Sequence, residues 1–131
     1  MALGPPERVT IREPDVETRV RAYLASQGYV LTLRAASRGG DIIAERAGRT
    51  LLVEVKADRP GHVSSRGTIY VDTCTLLGQI VLRIGQQSAD DYAIAIRPVH
   101  ARLVTSSLSV LARLAVNVLL VEDDGTVREL S

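Results

Sequence analysis

Apolar positions change their period several times along the chain, and each change marks an element. Val16, Val20, Tyr23, Leu24 and Gln27 share one helical face behind Pro14, Asp15 and Glu17, and Gly28 follows, which predicts a helix over 14–27. Three short runs of strand character come next, over 29–36, 41–46 and 50–57, joined by short polar or glycine-bearing links that suit an antiparallel meander. An irregular stretch over 58–67, rich in Arg, Gly, Ser and Pro, leads to a short strand at 68–71. Leu76, Leu77, Ile80, Val81 and Ile84 then form the stripe of a helix over 73–87. A buried strand over 91–96, a helix over 102–115 and two strands over 117–121 and 126–130, paired across Asp123-Asp124-Gly125, complete the pattern. The expected architecture is α/β, a mixed sheet flanked by helices.

Length and composition narrow the class. The 131 residues suit one domain, taken as 14–131 behind a flexible tail over 1–13. Phe and Trp are absent, so the core must be built from Val, Leu, Ile and Ala with four tyrosines, and the stacking aromatics of single-strand binders are scarce. Sixteen basic against fifteen acidic residues leave a net charge of +1, so any nucleic-acid surface would have to be local. Cys74, the single cysteine, excludes an internal disulfide and is read as structural; no Cys/His spacing suggests zinc. Without an apolar run of signal or membrane-spanning length, the expectation is a cytoplasmic protein away from the membrane.

The candidate chemistry lies in Leu51-Leu52-Val53-Glu54-Val55-Lys56-Ala57, which holds the only lysine beside fifteen arginines elsewhere. In a strand, Glu54 and Lys56 share one face and Val53 and Val55 the other. A hairpin loop of two residues, Ala47 and Gly48, or of four, adding Arg46 and Arg49, puts Asp41 opposite Glu54. Facing carboxylates repel each other unless a divalent cation lies between them, and a lysine beside such a site can shed its proton where arginine does not. The competing reading is a half-exposed strand whose Glu54 and Lys56 form a solvated ion pair.

The run Arg38-Gly39-Gly40-Asp41-Ile42-Ile43-Ala44 together with Glu54-Val55-Lys56, twelve residues lying between Asp41 and Glu54, resembles the PD-(D/E)xK nuclease superfamily, with Gly40 in the place of the motif's proline. The first helix and Gly28-Tyr29 are similar to the opening of archaeal Holliday-junction resolvases and Mrr-like restriction endonucleases. The resemblance covers roughly 14–96 and implies a restriction-endonuclease-like αβββαβ core, here followed by a C-terminal helix and β-hairpin. It also implies a Mg²⁺-dependent endonuclease, with Mn²⁺ as a substitute, that hydrolyses DNA phosphodiester bonds in restriction, repair or recombination. Asp41, Glu54 and Val55 would hold the metal and Lys56 would assist the attacking water. Glu17 and Gln79 would join the catalytic group, and Arg38, Arg59, Arg66 and Arg83 would contact DNA. Cutting both strands at once would need a homodimer. Each of these residues also has a plain alternative: Glu17 as a first-turn acid facing the helix dipole, Gln79 and Arg83 as a solvated helix face, and the other arginines as surface charges.

The stretch 59–66 is longer than a minimal resolvase needs, and beyond residue 97 only 117–130 is similar, weakly, to the final strands of Mrr-like domains. His62 and His100 are expected on the surface, and Arg34, Arg38, Arg46 and Arg49 around the proposed site. The rival to a nuclease is a catalytically silent nucleic-acid-binding or protein-interaction module of the same fold.

Overall fold

A computed structural model describes residues 13–32, 41–59 and 65–131. The N-terminal tail expected over 1–13 therefore lies almost wholly outside the described residues, as do Arg34, Arg38, His62 and most of the strand expected over 29–36. In chain order the elements are α1 (Glu13–Ser26), β1 (Val30–Leu31), β2 (Asp41–Arg46), β3 (Arg49–Val55), α2 (Arg66–Gly85), β4 (Asp91–Ile96), α3 (Pro98–Thr105), α4 (Leu108–Arg113), β5 (Val116–Val121) and β6 (Val127–Leu130). The six strands make one sheet in the order β1-β2-β3-β4-β5-β6. β3, β4 and β5 run parallel, and antiparallel strands complete each side.

The β2–β3 hairpin has the register that the sequence arithmetic requires, with Asp41 across from Glu54. Ala47 and Gly48 form its two-residue turn with φ of 53° and 77°, the left-handed geometry that matches the twist of a tight hairpin. Alternation along the strands divides the core in two. Val53, Val55, Ala93, Ala95, Leu119 and Val121 pack with Val16, Val20 and Leu24 of α1. Leu52, Ile94, Ile96, Val118 and Leu120 pack on the other side with Leu76 and Ile80 of α2, Val104 of α3 and Leu111 of α4. Both parallel crossovers thus lie on one face, as a single handedness of crossover requires for strands added in sequence order.

Two helical segments depart from the sequence expectation. Residues 68–71 are not a strand but the first turns of α2. Ser65 Oγ accepts from the Thr68 N–H at 3.2 Å, and Thr68 Oγ1 accepts from the Ser65 N–H at 2.9 Å. That reciprocal cap fixes the helix start and overrides the strand preference of Thr68, Ile69, Tyr70 and Val71. The helix expected over 102–115 is two helices: Pro98 opens α3 at its first turn, and the chain breaks at Ser106-Ser107 before α4.

The carboxyl ends of the three parallel strands are tied by one side chain. Arg97, only 1% exposed just past β4, donates from Nε to Asp58 Oδ2 at 2.9 Å, from one terminal nitrogen to the Val121 carbonyl at 2.6 Å and from the other to Asp123 Oδ1 at 2.6 Å. Its planar fork reaches the chain leaving β3 and the end of β5 at once. Arg97→Met should cost roughly 3–5 kcal/mol in chemical denaturation, because Asp58 would remain buried without its cation. Arg97→Lys should recover less than half of that, since one ammonium cannot span the same acceptors.

Candidate functional site

Beyond the end of β3 the chain passes along the carboxyl edge of the parallel strands, a common place for function in an α/β sheet. The Lys56 N–H donates to the Ala95 carbonyl at 2.9 Å, which holds the chain to β4 for one residue past the strand. Its ammonium lies 3.8 Å from Asp72 of α2. Arg59 binds the same carboxylate with two parallel hydrogen bonds, Nε to Oδ2 at 2.9 Å and a terminal nitrogen to Oδ1 at 2.8 Å. Asp72 is buried, yet the hydrogen bonds from Arg59 outweigh desolvation and hold its carboxyl below the usual range, with help from the nearby charges of Lys56 and Arg59.

Glu54 is 3% exposed and faces α2, where Arg83 Nε donates to its Oε1 at 3.1 Å. The site is therefore a set of ion pairs: Glu54 with Arg83, Asp72 with Arg59 and Lys56, and Asp58 and Asp123 with Arg97. A carboxylate buried this deeply needs a compensating cation, and here a guanidinium on the next helix supplies it.

His100 completes the buried polar group. It is 1% exposed in the first turn of α3, and its Nδ1 accepts the Arg97 N–H at 3.2 Å. It is thus a core residue and not the surface loop residue expected. Burial pushes its pKa down to about 4, against the opposing pull of Asp58 and Asp72.

The other expected site residues are dispersed. Val55 is buried on the α1 side of the sheet. Glu17 is half-buried on α1, which covers the face opposite the one Glu54 presents to α2. Gln79 is exposed on α2, and Arg66 is exposed at its start. Arg46 and Arg49 flank the hairpin turn, at the far end of β3 from Glu54 and about 17 Å along an extended strand of this length. There Arg46 donates to the Gln27 carbonyl and lies 4.2 Å from the Tyr29 ring centroid, and Arg49 pairs with Asp91. Cys74 is exposed on α2 and not a core residue. Asp58, Asp72 and Arg97 were not singled out from sequence. Asp72 had a signal: once the helix starts at residue 66, it shares the inward stripe with Ile69, Leu76 and Ile80, and a buried acid there requires a partner.

No protein-family model matches the chain, and no curated protein matches it. Solved structures do share its fold. An fdxN element excision controlling factor protein from Anabaena variabilis aligns over 90% of this chain and 99% of its own, with a TM-score of 0.58 and 16% identity. An XisH family protein from Nostoc punctiforme aligns over 89% of this chain and 99% of its own, with a TM-score of 0.51 and 18% identity. At such identities the likeness shows the fold alone.

These findings correct the nuclease expectation. The αβββαβ order is present, but the mixed open sheet with flanking helices matches the fold of these two proteins and not the expected restriction-endonuclease-like core of Mrr-like enzymes and Holliday-junction resolvases. Among the described residues no group of three or more His, Cys, Asp or Glu side chains is placed to hold a metal ion, which removes the expected Mg²⁺ or Mn²⁺ and with it the Mg²⁺-dependent endonuclease. The physical reason is visible at Glu54 and Asp72, whose counter-ions are Arg83 and Arg59. Those two arginines, expected on DNA, turn toward carboxylates of their own chain. The expectation of DNA as partner is corrected accordingly, and the homodimer loses its premise of cutting two strands. No helix among the described residues is long and apolar enough to cross a membrane.

The buried imidazole gives a pH signature. His100 stays neutral in the fold down to about 4, whereas in the unfolded chain it takes a proton near 6.5, so stability should be full above that value and fall as pH drops from 6.5 to 4. The loss should be on the order of 3 kcal/mol by urea unfolding. His100→Gln should flatten the profile over this window. A second outcome concerns Glu54: Arg83→Leu should cost about 2 kcal/mol, and adding Glu54→Gln should restore most of it, measured as a double-mutant cycle.

Proposed function

We propose that the chain is a catalytically silent protein-interaction module, one domain over residues 14–131, that acts by contact with another protein. The observation that carries this reading is the outward face of α2. Tyr70, Val71, Val81 and Leu82 are 52–65% exposed along it, with Cys74, Thr75, Gly78 and Gln79 between them and no charged side chain among them. Single exposed apolar residues are ordinary on a protein surface, but four large ones along one helix, with an uncharged interval of this length, form the kind of patch that marks a contact surface. Their apolar character adds nothing to the core, which lies under the opposite stripe of Leu76 and Ile80.

The Anabaena variabilis protein that shares the fold is named an fdxN element excision controlling factor, and a controlling role suits a module that acts by contact. Glu54, Lys56 and Asp72 have a structural part in this reading, holding α2 against the strand ends so that its outer face is rigid. A cytoplasmic location goes with it, in keeping with the unpaired Cys74.

Incubated with plasmid, single-stranded and branched DNA in Mg²⁺ or Mn²⁺, the purified chain should leave every substrate intact. Glu54→Ala and Lys56→Ala should change only the melting temperature. Metal-dependent cutting that Lys56→Ala abolishes would contradict the proposal. Val71→Glu with Leu82→Glu should shift unfolding free energy by no more than about 0.5 kcal/mol per site, as expected of side chains the fold does not need.

A further inference from the structure

The layer formed by α2, α3 and α4 has an uneven charge. Residues 66–85 and 98–113 contain Arg66, Arg83, Arg102 and Arg113 but a single acid, Asp72, which is buried and bound by Arg59. Arg83 is drawn inward to Glu54. The solvent side of this layer therefore presents Arg66, Arg102 and Arg113 with no carboxylate of its own.

Two of these arginines border a groove. Between the first turn of α2 and α3 lies a cavity of about 490 Å³ lined by Arg66, Ile69, Tyr70, Val99, Arg102 and Leu103. Its volume is within the range of pockets that enclose a large side chain or a small ligand. Four apolar side chains make its walls, and Arg66 and Arg102 have no hydrogen-bond or ion-pair partner among the described residues. This sets them apart from Arg59, Arg83 and Arg97, each committed to a carboxylate of the chain.

Resting on the interaction-module reading, we propose that this groove seats a large apolar side chain from an acidic segment of a partner protein. The partner's carboxylates pair with Arg66 and Arg102, and its apolar residue fills the space between Ile69, Tyr70, Val99 and Leu103. An apolar anchor in a pocket surrounded by rim charges is a common division of labour at interfaces: the anchor supplies affinity and the charges supply steering and register. A nucleic acid would satisfy the arginines but leave the apolar walls facing phosphate and sugar. A bilayer would meet the helix faces but not enter the concavity. A protein segment of this chemistry satisfies both features.

The probe is a fluorescein-labelled amphipathic peptide of about 15 residues, with a central Phe, Leu on either side of it and Glu beyond them. Controls are the same peptide with Lys for Glu, a scrambled peptide of equal composition, a single-stranded oligonucleotide and vesicles containing anionic lipid. Fluorescence anisotropy with the full chain should show the acidic amphipathic peptide binding, with weaker binding as salt rises. Arg66→Glu with Arg102→Glu should weaken it by about tenfold or more at unchanged melting temperature, and Tyr70→Ser should weaken it without removing the salt dependence. Equal binding of the lysine or scrambled peptide, no effect of the charge reversals, or preferential binding of the oligonucleotide or the vesicles would overturn the assignment. A chain that cuts no DNA and ignores the peptide sinks this groove assignment alone, whereas one that cuts DNA sinks the module reading itself.

Discussion

One buried guanidinium sets the geometry on which the rest of the structure depends. β3, β4 and β5 are parallel, so no hairpin joins their ends, and each connection crosses the sheet through helices. Arg97 supplies the missing tie at the carboxyl edge by holding Asp58, the Val121 carbonyl and Asp123 together. With Asp58 fixed, the chain leaving β3 turns toward α2, which brings Lys56 and Arg59 to Asp72. His100 closes the group by accepting the Arg97 backbone N–H, so the first turn of α3 is anchored to the same residue.

This arrangement explains how a strand that reads as catalytic can be structural. A carboxylate in a metal site keeps its lone pairs for the ion and for bound water. Glu54 instead lies 3% exposed against the guanidinium of Arg83, and Asp72 accepts both arms of Arg59. The cations that neutralise these acids are part of the chain, on α2 and just past β3. The cost of burying them is offset within the fold, and the register across β2 and β3 serves strand pairing. Outside this network the molecule faces solvent very differently on its α2–α4 side, where exposed apolar residues share one layer with Arg66 and Arg102, which have no partner among the described residues.

Local signals carried much of the fold. The β2–β3 register followed from a two-residue turn, because Ala47-Gly48 adopts the left-handed pair of conformations that a short hairpin needs. Apart from the extra strand expected at 68–71, the order of helices and strands through β4 was legible from periodicity and turn residues together. Residues 68–71 misled because a β-branched and aromatic run outweighed a weak Ser-x-x-Thr cap, and the break between α3 and α4 hid in an otherwise continuous apolar pattern. The site was less legible still. Arg97, Asp58 and Asp123 are separated by long stretches of chain and meet only when three parallel strands end side by side. The short Asp41…Glu54-x-Lys56 motif has the same letters whether its acids bind a metal or an arginine. What distinguishes the two is Arg83, which lies 29 residues beyond Glu54.

The acids at the end of β3 are neutralised by arginines of the chain, and no metal site is left among the described residues. Titrating Mn²⁺ into the ¹⁵N-labelled protein while following paramagnetic broadening of backbone amides probes this at the strand itself. Glu54, Val55 and Lys56 should keep their intensity relative to amides of equal exposure elsewhere. Selective loss of those three signals, reversed by chelation, would contradict it.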